Sequence, residues 1–242
     1  MKRVIRLSIF AILALGVAIP TMEAGKKDDD AGPKKKEQVV VYRPPLRGAP
    51  AAGSRLGAAS RGWKGDKLVF AALEPGHTGW TGQADPTLYW YQSASAKAPV
   101  VLTVAVEGQP RPLMELSLKD TSPGIHGLSL AGQGVHLSPG QEVQWSASVV
   151  RDPENRSLDI VSTGFLRREV PPAGLASQLA GADPQQQVRL YAEHGYWYDA
   201  FDTASRALQG HPDDATLREM RAELLDQVGL PEPAGWVRHG AP

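Results

Sequence analysis

The chain has 242 residues, is 42% hydrophobic and 21% charged, balances 26 Lys and Arg against 26 Asp and Glu, and contains no cysteine. That apolar share excludes a wholly disordered protein and is enough for one sizeable core or two small ones. The missing cysteine excludes disulfides, thiolate metal sites, thiol catalysis and lipid attachment through an N-terminal cysteine.

The chain opens with the basic "MKRVIR", continues as the apolar "LSIFAILALGVAI" (7–19) and reaches small residues in "PTMEAGKK". This order is that of a secretory signal peptide, and the apolar run falls short of the roughly 18–20 residues that span a bilayer. Residues 1–24 are therefore expected to be a signal peptide cut after Ala24, with no transmembrane span after cleavage. Met22 is bulky for its place before that cut, so cleavage after Ala18 or a retained N-terminal anchor are the alternatives. The expected destination is the periplasm or the exterior.

Residues 25–66 hold 10 basic and 5 acidic residues, a net charge of +5, and include "RPPLRGAPAAGSRLGAASRG". A stretch so dominated by Gly, Pro, Ala, Ser and Arg buries too little apolar surface to offset its ordering entropy, and reads as a disordered basic linker. Residues 67–242 hold 13 basic and 20 acidic residues, a net charge of −7. An acidic body without a basic face argues against nucleic acid as a partner.

From Lys67 the pattern turns to short alternating runs: "KLVFAAL", "TLYWYQS", "VVLTVAV", "PLMELSL", "IHGLSL", "EVQWSASVV" and "LDIVSTGFLRR". Seven short strands broken by turn residues predict an antiparallel β-sandwich over 67–170. Alternation places Val143, Trp145, Ala147 and Val149 on one face, and sets Met114, Leu116 and Leu118 opposite Glu115 and Ser117. "RDPENRS" is expected to close a hairpin between the last two strands.

After Pro172 the period becomes helical. A short helix is expected at 174–180. Asp183 caps a second with Pro184 at its first position, a third runs over 197–208, and a fourth opens near Asp214 with Leu217, Met220, Leu224, Leu225 and Val228 as its stripe. Gly195 and Gly229, Tyr191 and Leu225, and Val188 and Ala222 are each 34 residues apart, the period of tetratricopeptide repeats. Pro231 and Pro233 are read as forbidding a further helix, so 171–230 is a tetratricopeptide-like hairpin segment and 231–242 a disordered tail. About one and a half such units cannot bury their own apolar faces. The cluster Tyr196, Trp197, Tyr198 and Phe201 is accordingly expected to cement the helices to the strands. The fold class is α+β.

Chemistry is sparse. "GAASRGWKG" misses a phosphate loop, and Ser129 in "GLSLA" lies in an alternating strand, not at a nucleophile turn. His126 and His136 lack metal-ligand spacing. Asp152, Glu154 and Asp159 crowd one hairpin, where Asp152 is expected to close a turn before Pro153 and Arg156 to pair with a neighbouring acid. No catalytic residue, metal or cofactor is expected.

"DPTLYWYQS" (85–93), "ASVVRDPENRSLDIVSTGFLRREV" (147–170) and "LYAEHGYWYDAFDTA" (190–204), with the lead-in "GAPAAGSRLGAASRG", resemble the bacterial family known as domain of unknown function 928 over roughly residues 48–230. The pattern departs at Arg151, where many members carry a cysteine. The resemblance implies a bacterial envelope or secreted protein and no established activity.

The expected function is a non-enzymatic exported scaffold or protein-interaction module whose partner is another envelope protein. Gln185, Arg189 and Glu193 in line with Glu219, Glu223 and Asp226 would form a mostly acidic surface for a basic segment, the chain's own basic arm being one candidate. The alternative partner is cell-wall glycan stacked on Trp80, Tyr89 and Tyr91. A second alternative is a hydrolase using the hairpin carboxylates.

Overall fold

The alternating runs form strands wherever one side chain in two finds a core. In the computed structural model the described residues are 39–45, 56–57, 68–119 and 121–240. The expected signal peptide and most of the expected linker lie outside them. Among the described residues there are nine strands: β1 (Leu56–Gly57), β2 (Phe70–Leu73), β3 (Gly79–Thr81), β4 (Thr87–Gln92), β5 (Val100–Ala105), β6 (Met114–Leu118), β7 (Gly124–Ser129), β8 (Glu142–Val149) and β9 (Ile160–Arg168). They make two sheets, in the orders β1-β2-β4-β7 and β3-β9-β8-β5-β6. All neighbours are antiparallel except β3 beside β9.

Register follows the apolar pattern. On β8, Val143, Trp145, Ala147 and Val149 are at most 1% exposed, and Trp145 pairs across to Gly164 of β9. A Cβ at Gly164 would stand 2.7 Å from Trp145 Nε1, so glycine there makes room for the indole. On β4 both faces are covered: Trp90 stacks on His126 of β7 while Tyr89 and Tyr91 lie under helices. β2 meets the second sheet where Ala72 N–H donates to Ser162 Oγ of β9 at 2.7 Å.

Five helices follow: α1 (Ala173–Ala180), α2 (Pro184–Glu193), α3 (Trp197–Gly210), α4 (Ala215–Gln227) and α5 (Pro231–His239). Asp183 and Gln186 close a capping box on α2, and Asp214 caps α4 through Leu217 N. The 34-residue offset survives as geometry. Gly195 and Gly229 both take positive φ, and both hairpins are closed by the same long bond, Tyr196 N–H to Tyr191 O and Leu230 N–H to Leu225 O, each 2.9 Å.

α5 overturns the expected disordered tail. Pro231 is the first residue of the helix and Pro233 the third, where backbone N–H groups have no intrahelical acceptor, so proline removes nothing there. Arg238 at the far end of α5 then grips α4 through Glu219 at 2.6 Å and Asp226 at 2.8 Å.

Helices and sheets share one apolar core. Trp197 and Phe201, 0% exposed, and Tyr198, 2%, lie in it, while Tyr196, also 2%, sits in a smaller cluster with Leu175 and Leu179 of α1. Trp145 Nε1 donates to the Tyr198 hydroxyl at 3.0 Å, and that hydroxyl donates to Phe165 O at 3.1 Å. Tyr198 comes so close to β3 that a Cβ at Gly79 would lie 2.6 Å from its Cε2 and 2.8 Å from Pro75 Cγ. Gly79→Ala is therefore expected to cost about 1–3 kcal/mol, because the doubly hydrogen-bonded ring has nowhere to move. Urea denaturation would measure the loss.

Candidate functional site

The segment "VVVYRPP" falls within the expected linker, yet Val40 is 0% and Tyr42 is 7% exposed while Val39 is 60% and Val41 46%. This is the alternation of an extended chain with one face buried. The segment lies across α2 and α4. Val40 N–H donates to Glu223 Oε2 at 2.9 Å, Tyr42 N–H donates to Gln227 Oε1 at 2.8 Å, and Gln227 Nε2 donates to Val40 O at 2.9 Å. Arg43 N–H donates to Ala192 O at 3.0 Å. Thus one Gln side chain reads donor and acceptor on alternate residues, as a neighbouring strand would.

The Tyr42 ring stacks parallel to His77, with centroids 6.0 Å apart. His77 Nδ1 lies 3.0 Å from Thr78 O, which can only accept, so in the neutral ring Nε2 accepts from the Tyr42 hydroxyl at 3.0 Å. Burial, reinforced by the Glu74 carboxylate, raises the Tyr42 hydroxyl well above its ordinary pKa. Gly195 admits the segment: it has φ +86°, and a Cβ on it would stand 3.2 Å from Arg43 O and 3.3 Å from Pro45 Cδ.

The six residues expected to form one acidic surface do not do so. Glu223 holds the arm, but Glu219 and Asp226 are engaged by Arg238. Gln185 donates to Asp214 at 3.3 Å, Arg189 lines a shallow cavity with Gln178 and Gln186 between α1 and α2, and Glu193 is exposed. Within the described residues 39–45 the contacts run through the backbone and two buried side chains, while the one basic residue there, Arg43, is exposed.

The expected glycan platform is also corrected. Tyr89 is 7% and Tyr91 3% exposed, packed edge-on against Phe201 of α3 and Trp236 of α5, and Trp80 packs on Tyr196. In the β8–β9 hairpin, Asp152 Oδ1 accepts from Glu154 N–H at 2.9 Å and Arg156 pairs with Asp159 at 2.6 Å, the arrangement a turn requires. His126 Nε2 lies 2.7 Å from Ser122 O, and His136 is 4.0 Å from Asp85. Among the described residues no three His, Cys, Asp or Glu side chains gather as a metal site would need. No described helix is long and apolar enough to cross a membrane.

Sequence reasoning passed over Asp199. It lies in the first turn of α3, is 4% exposed, and accepts from Gly82 N–H at 3.0 Å, tying α3 to the β3–β4 loop. Burial pushes its carboxyl up to about 7, against the hydrogen bonds from Gly82, Thr81 and Gln83. It borders a cleft of about 470 Å³ with Gln83, Gln187, Tyr191 and Asp202.

The family described as Domain of Unknown Function (DUF928) matches residues 56–236 of the 242. The chain belongs to it. The DUF928 match begins at β1 and ends inside α5, taking in both sheets and α1–α4 while leaving out the arm at 39–45. No curated protein matches the chain.

Proposed function

We propose that this DUF928 chain is an exported, non-enzymatic interaction module of the bacterial envelope, which takes an extended peptide across α2 and α4. In this reading the helical half is tetratricopeptide-like and packs on a β-sandwich. The signal-like opening of the chain supports export, and the repeated hairpin closures at a 34-residue offset support the repeat likeness. One observation carries the function: the four hydrogen bonds between the backbone of residues 40–43 and Glu223, Gln227 and Ala192, with the Val40 and Tyr42 side chains buried between them. Main-chain bonds give affinity to any extended segment, and the two pockets select a small apolar residue followed two positions later by an aromatic one.

The chain's own arm then acts as a tethered competitor, present at an effective concentration on the order of millimolar for a short linker. The test releases the arm without touching the groove. In full-length protein, Val40→Ala with Tyr42→Ala is expected to free the groove, so that a fluorescent peptide of sequence QVVVYRPPL binds more tightly than to wild type, measured by anisotropy. Adding Gln227→Ala should remove that binding. A peptide that ignores the freed groove, or one indifferent to Gln227, would refute the reading.

A further inference from the structure

Beyond the groove, a second cleft opens on the other side of α4. It has a volume of about 490 Å³, within the range of small-molecule sites, and is lined by Thr87, Tyr89, Ser129, Gln209 and Arg221 with Ile125 as an apolar patch. Arg221 is the anomaly. Its guanidinium carbon sits 5.0 Å from the Phe201 ring centroid, and its Nε is buried without a hydrogen-bond acceptor. By contrast, Arg156, Arg167, Arg206 and Arg238 each face a carboxylate.

A desolvated cation with no anion is costly, and a π-face alone offsets only part of that. Burial draws Arg221 down to about 10, which still leaves it cationic at neutral pH. It therefore brings to the cleft wall a planar guanidinium whose Nε donor has no acceptor. Asp202 decides which anion fits. Its carboxylate lines the same cleft, accepts from the Tyr89 hydroxyl at 2.8 Å and is met only at 3.8 Å by Arg206, so a dianion would be repelled more strongly than a monoanion. The hydroxyls of Thr87 and Ser129 on the wall suit a hydroxylated ligand.

We propose that the cleft over Arg221 is a binding site for a small carboxylate-bearing molecule of the sugar-acid class. The site is independent of the peptide groove, which uses Glu223 and Gln227.

Full-length protein would be titrated with sodium glucuronate, glucose and inorganic phosphate, followed by calorimetry and by the NMR signal of the Arg221 Nε–H. Glucuronate should bind saturably and shift that signal, glucose should do neither, and phosphate should bind more weakly than glucuronate. Arg221→Lys, which keeps the charge but loses the fork, should weaken glucuronate by about ten-fold or more. The Nε–H readout belongs to the unaltered protein, so the test stands even if the variant folds poorly. Absence of saturable glucuronate binding, equal binding of glucose, tighter binding of phosphate, or an unshifted Nε–H signal would each overturn the proposal.

Discussion

Phe201→Ala is expected to destabilise the protein by about 3–5 kcal/mol and to do so for strands and helices together. The ring is 0% exposed and touches three different elements' worth of partners: it stacks on Trp197 at 5.1 Å, meets Tyr89 of β4 edge-on at 5.1 Å, and carries the Arg221 guanidinium on its other contacts at 5.0 Å. Truncation opens a cavity between β4, α3 and α4, and it strips the one face that stabilises a buried cation. Because the void borders both the sheet and the helices, neither half can relax around it alone. Urea denaturation followed by far-UV circular dichroism and by tryptophan fluorescence should give coincident transitions, both shifted to lower urea. Val161→Ala, at a side chain 42% exposed on β9, serves as the control and should change stability by no more than about 0.5 kcal/mol. Two separated transitions in the Phe201 variant would mean that the helices do not depend on the sheet.

What the sequence disclosed, and what it hid, follows from the range of each signal. The seven longer strands and the caps at Asp183 and Asp214 are local: runs of four to nine apolar-rich residues and a side chain reaching three positions ahead need no distant partner. β1 and β3 are two and three residues long, too short to alternate, and β3 exists because β9 offers it a parallel edge. α5 is hidden in the sequence because its two prolines break a helix anywhere except in the first turn, where they stand. The arm is hidden by the Gly-, Pro- and Arg-rich composition of the surrounding 25–66. "VVVY" taken alone is a β-branched and aromatic run of the kind strands use. The exposed face expected for β4 failed because period 2 identifies two faces but not what returns to cover the second. The stripe of Glu219, Glu223 and Asp226 was read correctly as one face of a helix, yet its charge was already met by Arg238 from the unforeseen helix. Asp199 and Arg221 could not be found locally at all. Their burial is made by Gly82, Phe201 and Tyr89, which lie more than a hundred or only twenty residues away with no fixed spacing.

Asp199 is expected to make stability depend on pH. Its folded-state value of about 7 stands against 3.8 in an unfolded chain, with burial as the leading cause and the nearby Asp202 charge adding to it. Its place at the start of α3 works the other way, but a helix N-terminus favours an anion by only about 0.3–1 kcal/mol, too little to outweigh the loss of water. The folded protein thus holds a proton that the unfolded chain releases earlier. That stabilisation is fully present below 3.8 and is lost as pH rises through about 7, an amount on the order of 4 kcal/mol. Asp199→Asn supplies a neutral group of the same shape whose amide oxygen can still accept from Gly82 N–H. The variant is expected to match the wild type near pH 4 and to exceed it increasingly up to pH 8, so the difference between the two isolates this one group from every other titration. Urea unfolding at half-unit steps across that window would check it. Parallel curves for wild type and variant would show that the carboxyl ionises normally despite its burial. A diverging pair would make the contact between α3 and the β3–β4 loop weakest where Asp199 is charged, since there the carboxylate is held in a site that excludes the water its charge requires.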